Sequence, residues 1–272
     1  MHIACSTFSY HDAFAKGMID VAGVIKEIAK AGCEAIELND GYLLNDPISL
    51  KEIKRLSIGY GLDISAVAIE NNFCREDFVQ IEKEKKKILK WLDKAYFLGA
   101  PILRVNTGQI HDDPSKIKNK NVTRETVVSW AMQTFKEVVE EAKRKGIIIA
   151  LENHFGITKT SSDTLYIVKQ VNSDWLKVNI DTGNFWTDPT IPANLFEDPY
   201  KGIEKLAPYT VYCHAKVWSF TLEGEKYLDY DRILKIFHHY NYKGYLSIEY
   251  FGKEDPLSGI PEAVSMLKKK IE

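Results

Sequence analysis

Eight times along the 272 residues, a short apolar run rich in β-branched residues gives way to an amphipathic stretch with helical period. That alternation constrains the fold more than any single motif, because it fixes both the kind of element and their order. Strands are expected at 2–6, 34–38, 62–68, 101–105, 147–151, 176–181, 210–214 and 244–249. Helices are expected near 19–31, 48–60, 77–98, 123–145, 161–171, 198–207, 229–240 and 258–271. A run such as Ile147-Ile148-Ile149-Ala150-Leu151 has no polar alternation, as a strand covered on both faces requires. Strands joined through helices run parallel, and eight such units bury every edge by closing. The expectation is an α/β fold, a (β/α)8 TIM barrel spanning 1–272 as a single domain, a form that typically takes about 250 residues. A doubly wound open sheet is the alternative. It would place a glycine-rich phosphate turn after its first strand, and Ser6-Thr7-Phe8-Ser9-Tyr10 is no such turn.

The 36 basic and 38 acidic residues nearly cancel, to a formal charge of -2, which gives no reason to expect nucleic acid as a partner. No apolar run approaches the roughly 20 residues that span a bilayer, so no membrane partner is expected. The first strand begins at once, without the basic region and long apolar core of a secretory signal, and the expected location is cytoplasmic. Cys5, Cys33, Cys74 and Cys213 are scattered without a paired motif and read as reduced core thiols.

Chemistry gathers where the late strands end. The fifth runs into Glu152-Asn153-His154, the sixth into Asp181, the seventh into His214 and the eighth into Glu249. In a barrel all four belong to the C-terminal rim, where ligands bind. Neighbouring strands are about 4.8 Å apart, so consecutive ends can surround one ion. Buried, these groups would be costly without a cation to pair them. Three carboxylates and one imidazole, with no thiolate, suit Mn²⁺, Mg²⁺ or Co²⁺, with Zn²⁺ also compatible. One divalent metal held by Glu152, Asp181, His214 and Glu249 is therefore expected.

The same rim is aromatic: Phe8, Tyr10, Tyr42, Phe73, Phe155, Phe185, Trp186, Trp218, Tyr250 and Phe251 follow strand ends. Some pack beneath the loops. The others, Phe8 and Trp186 among them, are expected to wall a pocket for a carbon-rich ring bearing hydroxyls. Further polar candidates at the rim are Glu37, Glu70, Asn106, His154 and Lys216, the last for the substrate or for the ligand carboxylates. Glu37 and Glu70 end the second and third strands, across the barrel from the proposed metal, where a substrate hydroxyl is expected to reach them, and Arg104 is expected to neutralise buried acids.

At Leu151-Glu152-Asn153-His154, Asp181-Thr182-Gly183-Asn184, His214-Ala215-Lys216 and Leu228-Asp229-Tyr230 through Gly244-Tyr245-Leu246-Ser247-Ile248-Glu249-Tyr250, the chain resembles the xylose isomerase-like barrels. These include sugar isomerases and ketose 3-epimerases, inosose dehydratase and, more distantly, abasic-site endonucleases. The resemblance covers nearly the whole chain. It implies one divalent metal on the four residues named and, in the ketose-epimerase branch, proton transfer by Glu152 and Glu249. Many relatives carry His where this chain has Asn184, which is expected to face substrate rather than metal. The His-x-Asp-x-His cluster of the endonucleases is missing, since Lys216 and Val217 follow His214.

The resulting expectation is a metal-dependent isomerase or epimerase that removes a proton next to the carbonyl of a keto sugar or polyol, through an enediolate. A lyase or dehydratase acting on an inosose or 3-keto-glycoside is the first alternative, a non-catalytic sugar-binding barrel the second, and an abasic-site endonuclease the least favoured. The partner is a small carbohydrate, and self-association into a homo-oligomer is compatible with the composition.

Overall fold

In the computed structural model, which describes residues 1–108, 122–185, 197–221 and 224–271, eight parallel strands close into a barrel. They are β1 (His2–Ser6), β2 (Ala35–Asn39), β3 (Asp63–Ala68), β4 (Ile102–Val105), β5 (Ile148–Glu152), β6 (Leu176–Asp181), β7 (Thr210–Val217) and β10 (Tyr245–Tyr250). Each pairs with its neighbours in sequence, and β10 closes on β1 through His2↔Tyr245 to Cys5↔Ile248. The open-sheet alternative is excluded.

The helices expected between strands are present: α2 (Val21–Lys30), α4 (Leu50–Gly59), α5 (Phe78–Leu98), α6 (Arg124–Lys145), α7 (Ser161–Val171), α8 (Pro199–Leu206), α9 (Tyr230–His239) and α10 (Pro256–Ile271). Their starts are capped by side chains that accept the otherwise unpaired amides, Asp77 from Gln80 and Thr123 from Thr126. The last turn of α6 carries Lys143, Arg144 and Lys145, which favours the negative end of its dipole. Additional elements sit in the upper loops: α1 (His11–Ala15), α3 (Asp40–Asn45) and a ribbon of β8 (Phe220–Thr221) and β9 (Gly224–Glu225). Each is only two to six residues long, too short to impose a readable period. Among the described residues no helix is long and apolar enough to cross a membrane.

The main core lies between strands and helices and includes Ile3, Ile36, Val67, Leu103, Ile149, Leu151, Ile180, Cys213 and Ile248. Because side chains alternate along a strand, the residues between them point into the barrel. There, Ala66, Ile102, Ala150 and Tyr212 form a separate apolar plug. Tyr212 fills the space its small neighbours leave, and its hydroxyl lies 2.8 Å from Ser65 Oγ. Two residues further along β7 comes His214, and two beyond that Lys216. The barrel interior changes from apolar to ionic within one strand.

Candidate metal centre

The strand period that sends Leu151 and Ile180 to the helices sends Glu152 and Asp181 inward, level with His214 and Glu249. Ligand atoms of Glu152, Asp181 and His214 all lie within 4.8 Å of one another. His214 Nδ1 is 3.1 Å from Glu152 Oε1, 3.3 Å from Glu249 Oε1 and 3.9 Å from Asp181 Oδ2. Glu249 borders this trio while its other oxygen turns to Lys216 Nζ, 2.5 Å away.

The backbone fixes these groups before any ligand arrives. Asn153 takes the amide of Asp181 on its Oδ1 at 2.8 Å and donates from Nδ2 to the Asp181 carbonyl at 3.0 Å, locking the ends of β5 and β6 together. Asp181 Oδ1 accepts the amides of Gly183 and Asn184 at 2.8 and 3.1 Å, which leaves Oδ2 turned toward His214. On the far side of the ring, His214 Nε2 lies 3.0 Å from Glu37 Oε1, and Glu37 Oε2 accepts from Ser247 Oγ at 2.7 Å. Glu37 therefore does not wait for a substrate hydroxyl, as its place across the barrel suggested. The interior is narrow enough for it to orient His214, with Nε2–H toward the carboxylate and Nδ1 toward the other acids.

Charge is concentrated here. Glu37, Glu152, Asp181 and Glu249 are buried, as are two permanent cations, Arg104 and Lys216. With a neutral His214 the mouth would retain two negative charges. Arg104 Nη1 lies 3.4 Å from Glu152 Oε2 and 3.3 Å from Glu70 Oε1, the neutralising role expected of it. Lys216 Nζ lies 2.8 Å from Asp181 Oδ2. Burial pushes the pKa of Glu152 up, but Arg104 and the two histidines outweigh it and hold this carboxyl below the usual range. Burial also opposes ionisation of Glu249, and Lys216 and His214 reverse that. Asp181 goes the other way: burial, reinforced by Glu249 and Glu152 against the pull of Lys216, pushes it up to about 7. His214 is disfavoured as a cation by burial, yet Glu37 and Glu249 raise it well above the ordinary histidine value.

A divalent cation matches this donor set. Glu152 Oε2 is a buried acceptor that takes no hydrogen bond, with Arg104 Nη1 3.4 Å away, while Asp181 Oδ2 is paired with Lys216 Nζ at 2.8 Å. Two positive charges would balance the excess and replace the protons that Asp181 and His214 otherwise hold. Glu152, Asp181, Glu249 and His214 Nδ1 are the groups that would hold it.

Above the centre lies a cavity of about 340 Å³, lined by all three carboxylates of the set. Of the substrate candidates, Phe8, Glu70, His154, Asn184 and Lys216 line it. Trp186 lies outside the described residues. Asn184 is shared between two tasks: it lines the cavity, while its Nδ2 donates to the Asn153 carbonyl at 3.1 Å and to Glu152 Oε1 at 3.3 Å. Phe155, Trp218 and Phe251 complete the aromatic wall, whereas Tyr10, Phe73, Phe185 and Tyr250 are buried in the core. Phe251 also covers Lys216 Nζ, 4.3 Å from its ring centre. Gly183 is required beneath them, because a Cβ there would stand 2.6 Å from both Lys216 Cγ and the Trp218 ring.

Glu37 and Asn153 went unrecognised in the sequence as parts of this centre. Asn153 had a signal, since it separates Glu152 from His154 and points away from both. Nothing in the spacing pairs Glu37 with a histidine 177 residues later.

Known structures align along almost the full chain. A D-tagatose 3-epimerase-like protein superposes with a TM-score of 0.76 at 20% identity, covering 100% of this chain and 97% of that one. D-psicose 3-epimerase from Clostridium cellulolyticum H10, solved with D-tagatose, gives 0.76 at 17% identity, with 100% and 98% covered. The IolI protein with a bound zinc atom gives 0.75 at 16% identity, with 100% and 96% covered. At these identities the likeness concerns the fold. A sequence search of curated proteins finds no significant match. The model of the family described as Xylose isomerase-like TIM barrel matches residues 25–270, and the chain belongs to that family.

Proposed function

We propose that this chain is a metal-dependent isomerase or epimerase acting on a keto sugar or polyol. The observation that carries the reading is the placement of Glu152 and Glu249: two buried carboxylates from β5 and β10, both beside His214 Nδ1 and both lining one cavity with aromatic walls. The sugar epimerases among the structural neighbours support the same substrate class.

In this reading Glu152 and Glu249 divide the proton work. Both are held ionised by neighbouring cations, so each begins as an acceptor. One takes the proton from the carbon next to the carbonyl and, now protonated, returns it to the adjoining carbon; delivery to the opposite face requires the other carboxylate to take up a proton from water first. General acid–base action of this kind contributes about 10²–10⁴ in rate for each group. A bound divalent metal, with Mn²⁺, Mg²⁺, Co²⁺ and Zn²⁺ all suited to the donors, supplies Lewis-acid stabilisation of the negative charge that develops on substrate oxygens. Glu37 holds the imidazole, Asn153 holds the end of β6, and Lys216 and Arg104 fix the carboxylates. Phe8, Phe155, Trp218 and Phe251 exclude water and pack against the carbon skeleton.

The test is turnover in D₂O of metal-loaded protein with a panel of keto sugars and inososes. Deuterium at the reacting carbon of the product is expected. Glu152→Gln and Glu249→Gln should each keep the fold and lose most turnover, because an amide still offers an oxygen but is a poor proton acceptor. Two variants with full metal content and nearly unchanged turnover would overturn the assignment.

A further inference from the structure

The cavity above the metal centre does not end at Glu70 and His154. The same two residues line an adjoining cavity of about 330 Å³, whose other walls are Asn71, Asn72, Arg75, Asn106 and Gly108. Among the described residues its lining is polar, with three asparagine amides beside a carboxylate, a guanidinium and an imidazole, and the amides are locked. Asn106 exchanges hydrogen bonds with Asn71, amide to Oδ1 at 3.0 Å and Nδ2 to carbonyl at 2.5 Å. Asn106 Oδ1 accepts the Gly108 amide at 3.0 Å, and Asn72 Oδ1 accepts that of Cys74 at 2.8 Å. Gly108 has φ +77°, and a Cβ there would lie 2.0 Å from Asn72 Oδ1, so the wall closes only with glycine.

Glu70 stands at the junction, and its position is fixed although its side chain is 67% exposed. Its amide donates to Asp40 Oδ1 at 3.2 Å, its carbonyl accepts from Lys87 Nζ, and its carboxylate accepts from Asn106 Nδ2 at 3.0 Å. An exposed carboxylate held so firmly is suited to take hydroxyls from either side.

The lining selects the occupant. Among the described residues, the lining holds no aliphatic side chain and no aromatic ring but the His154 imidazole. An anion is disfavoured as well, since Arg75 is already paired through Nε and Nη2 with Glu84 Oε1, at 3.1 and 2.5 Å, and Glu70 adds a negative charge. Neutral hydroxyls, each needing donors and acceptors at once, match amides and a carboxylate. We propose that this side cavity is a second sugar subsite, so that the substrate is a glycoside or disaccharide whose reacting ring lies over Glu152, Asp181 and His214 and whose other ring lies among Asn72, Arg75 and Asn106. The proposal rests on the carbohydrate reading given above.

Binding separates the two. Metal-loaded protein is titrated, by calorimetry and ligand-observed NMR, with glucose, galactose and fructose, with cellobiose, maltose, lactose and sucrose, and with glucose 6-phosphate and fructose 6-phosphate. At least one disaccharide is expected to bind about tenfold more tightly than its component monosaccharides, the gain a few added hydrogen bonds bring. Asn72→Ala, and separately Arg75→Lys, which keeps a cation for Glu84, should erase most of that ratio while thermal unfolding confirms the fold. Equal binding of mono- and disaccharides overturns the subsite and leaves the carbohydrate reading standing. Tighter binding of the phosphates overturns its neutral character. No binding by any sugar overturns both.

Discussion

The lower and upper halves of the barrel interior are built on the same strands and obey opposite rules. Below, Ala66, Ile102, Ala150 and Tyr212 pack as an apolar plug. Above, the next inward residues of those strands and their neighbours are Arg104, Glu152, Asp181, His214 and Glu249, equally buried. The plug is stable by contact alone, since burying apolar surface needs no partner of particular charge. The upper layer is stable only if its charges balance, and with His214 neutral and Asp181 ionised the residues present leave it with two uncompensated negative charges. One half of the interior thus holds the barrel together, and the other stores a demand for a cation.

The comparison breaks most visibly if a large change in each half behaves alike toward metal. Tyr212→Ala should cost about 3–5 kcal/mol with or without added Mn²⁺, because it opens a cavity that an ion does not fill. Lys216→Met should cost a similar ~3–5 kcal/mol in metal-free protein, where it leaves Asp181 and Glu249 facing each other uncompensated. Added Mn²⁺ should restore much of that loss, and should bind the variant more tightly than wild type. Denaturant unfolding with and without metal reads both, and a metal-independent loss in Lys216→Met would remove the distinction between the halves.

Next in size is the metal effect on the native protein. At a hundredfold excess over Kd, binding adds about 2.7 kcal/mol, which for a chain of this length is a rise of roughly 5 °C in Tm. Asp181→Ala should abolish the rise. Unchanged Tm in wild type across Mn²⁺, Co²⁺, Mg²⁺ and Zn²⁺ would sink the metal centre.

A smaller effect tests the residue that links the halves. Glu37 touches His214 from below the centre and would not itself hold the ion. Glu37→Gln should weaken metal binding by about 10–100-fold, as loss of a partner that orients a ligand does, while leaving the centre able to saturate. Calorimetric titration distinguishes this from the complete loss expected of a ligand.

How much of this was legible in the sequence follows the same division. The strands and the four strand-end residues were readable because a two-residue period and a buried apolar run are local signals. Their convergence followed from topology, since β5, β6, β7 and β10 are consecutive around the barrel. What stayed hidden depends on distance across the interior. Glu37 was placed on the far wall, correctly by strand order, yet the diameter of the barrel brings it to His214. Lys216 was legible both as a rim residue and as a partner of the ligand carboxylates, and it meets Asp181 and Glu249. The short α1, α3 and the β8–β9 ribbon have too few residues to show a period.

The smallest effect belongs to the outer edge of the lower half, where charge meets water rather than other buried charge. Glu34 accepts the Ile3 amide at 3.0 Å and lies 2.7 Å from His2 Nδ1, pinning the start of β1. Partial burial disfavours its ionised form, but the His2 contact and the Ile3 amide outweigh this, and its folded pKa lies below the ordinary glutamate value. A depressed carboxylate contributes stability that is fully present above its unfolded pKa of about 4.3 and is lost as pH falls through the folded value. With its side chain 48% exposed, water and salt screen the pair, and the contribution should stay below about 1 kcal/mol. Glu34→Gln should lower stability by that small amount at pH 7 and by less as the pH drops below 4.3, with the difference shrinking in high salt. Stability curves of the two proteins that stay parallel from pH 7 to the acid limb would show that Glu34 acts through its shape rather than its charge.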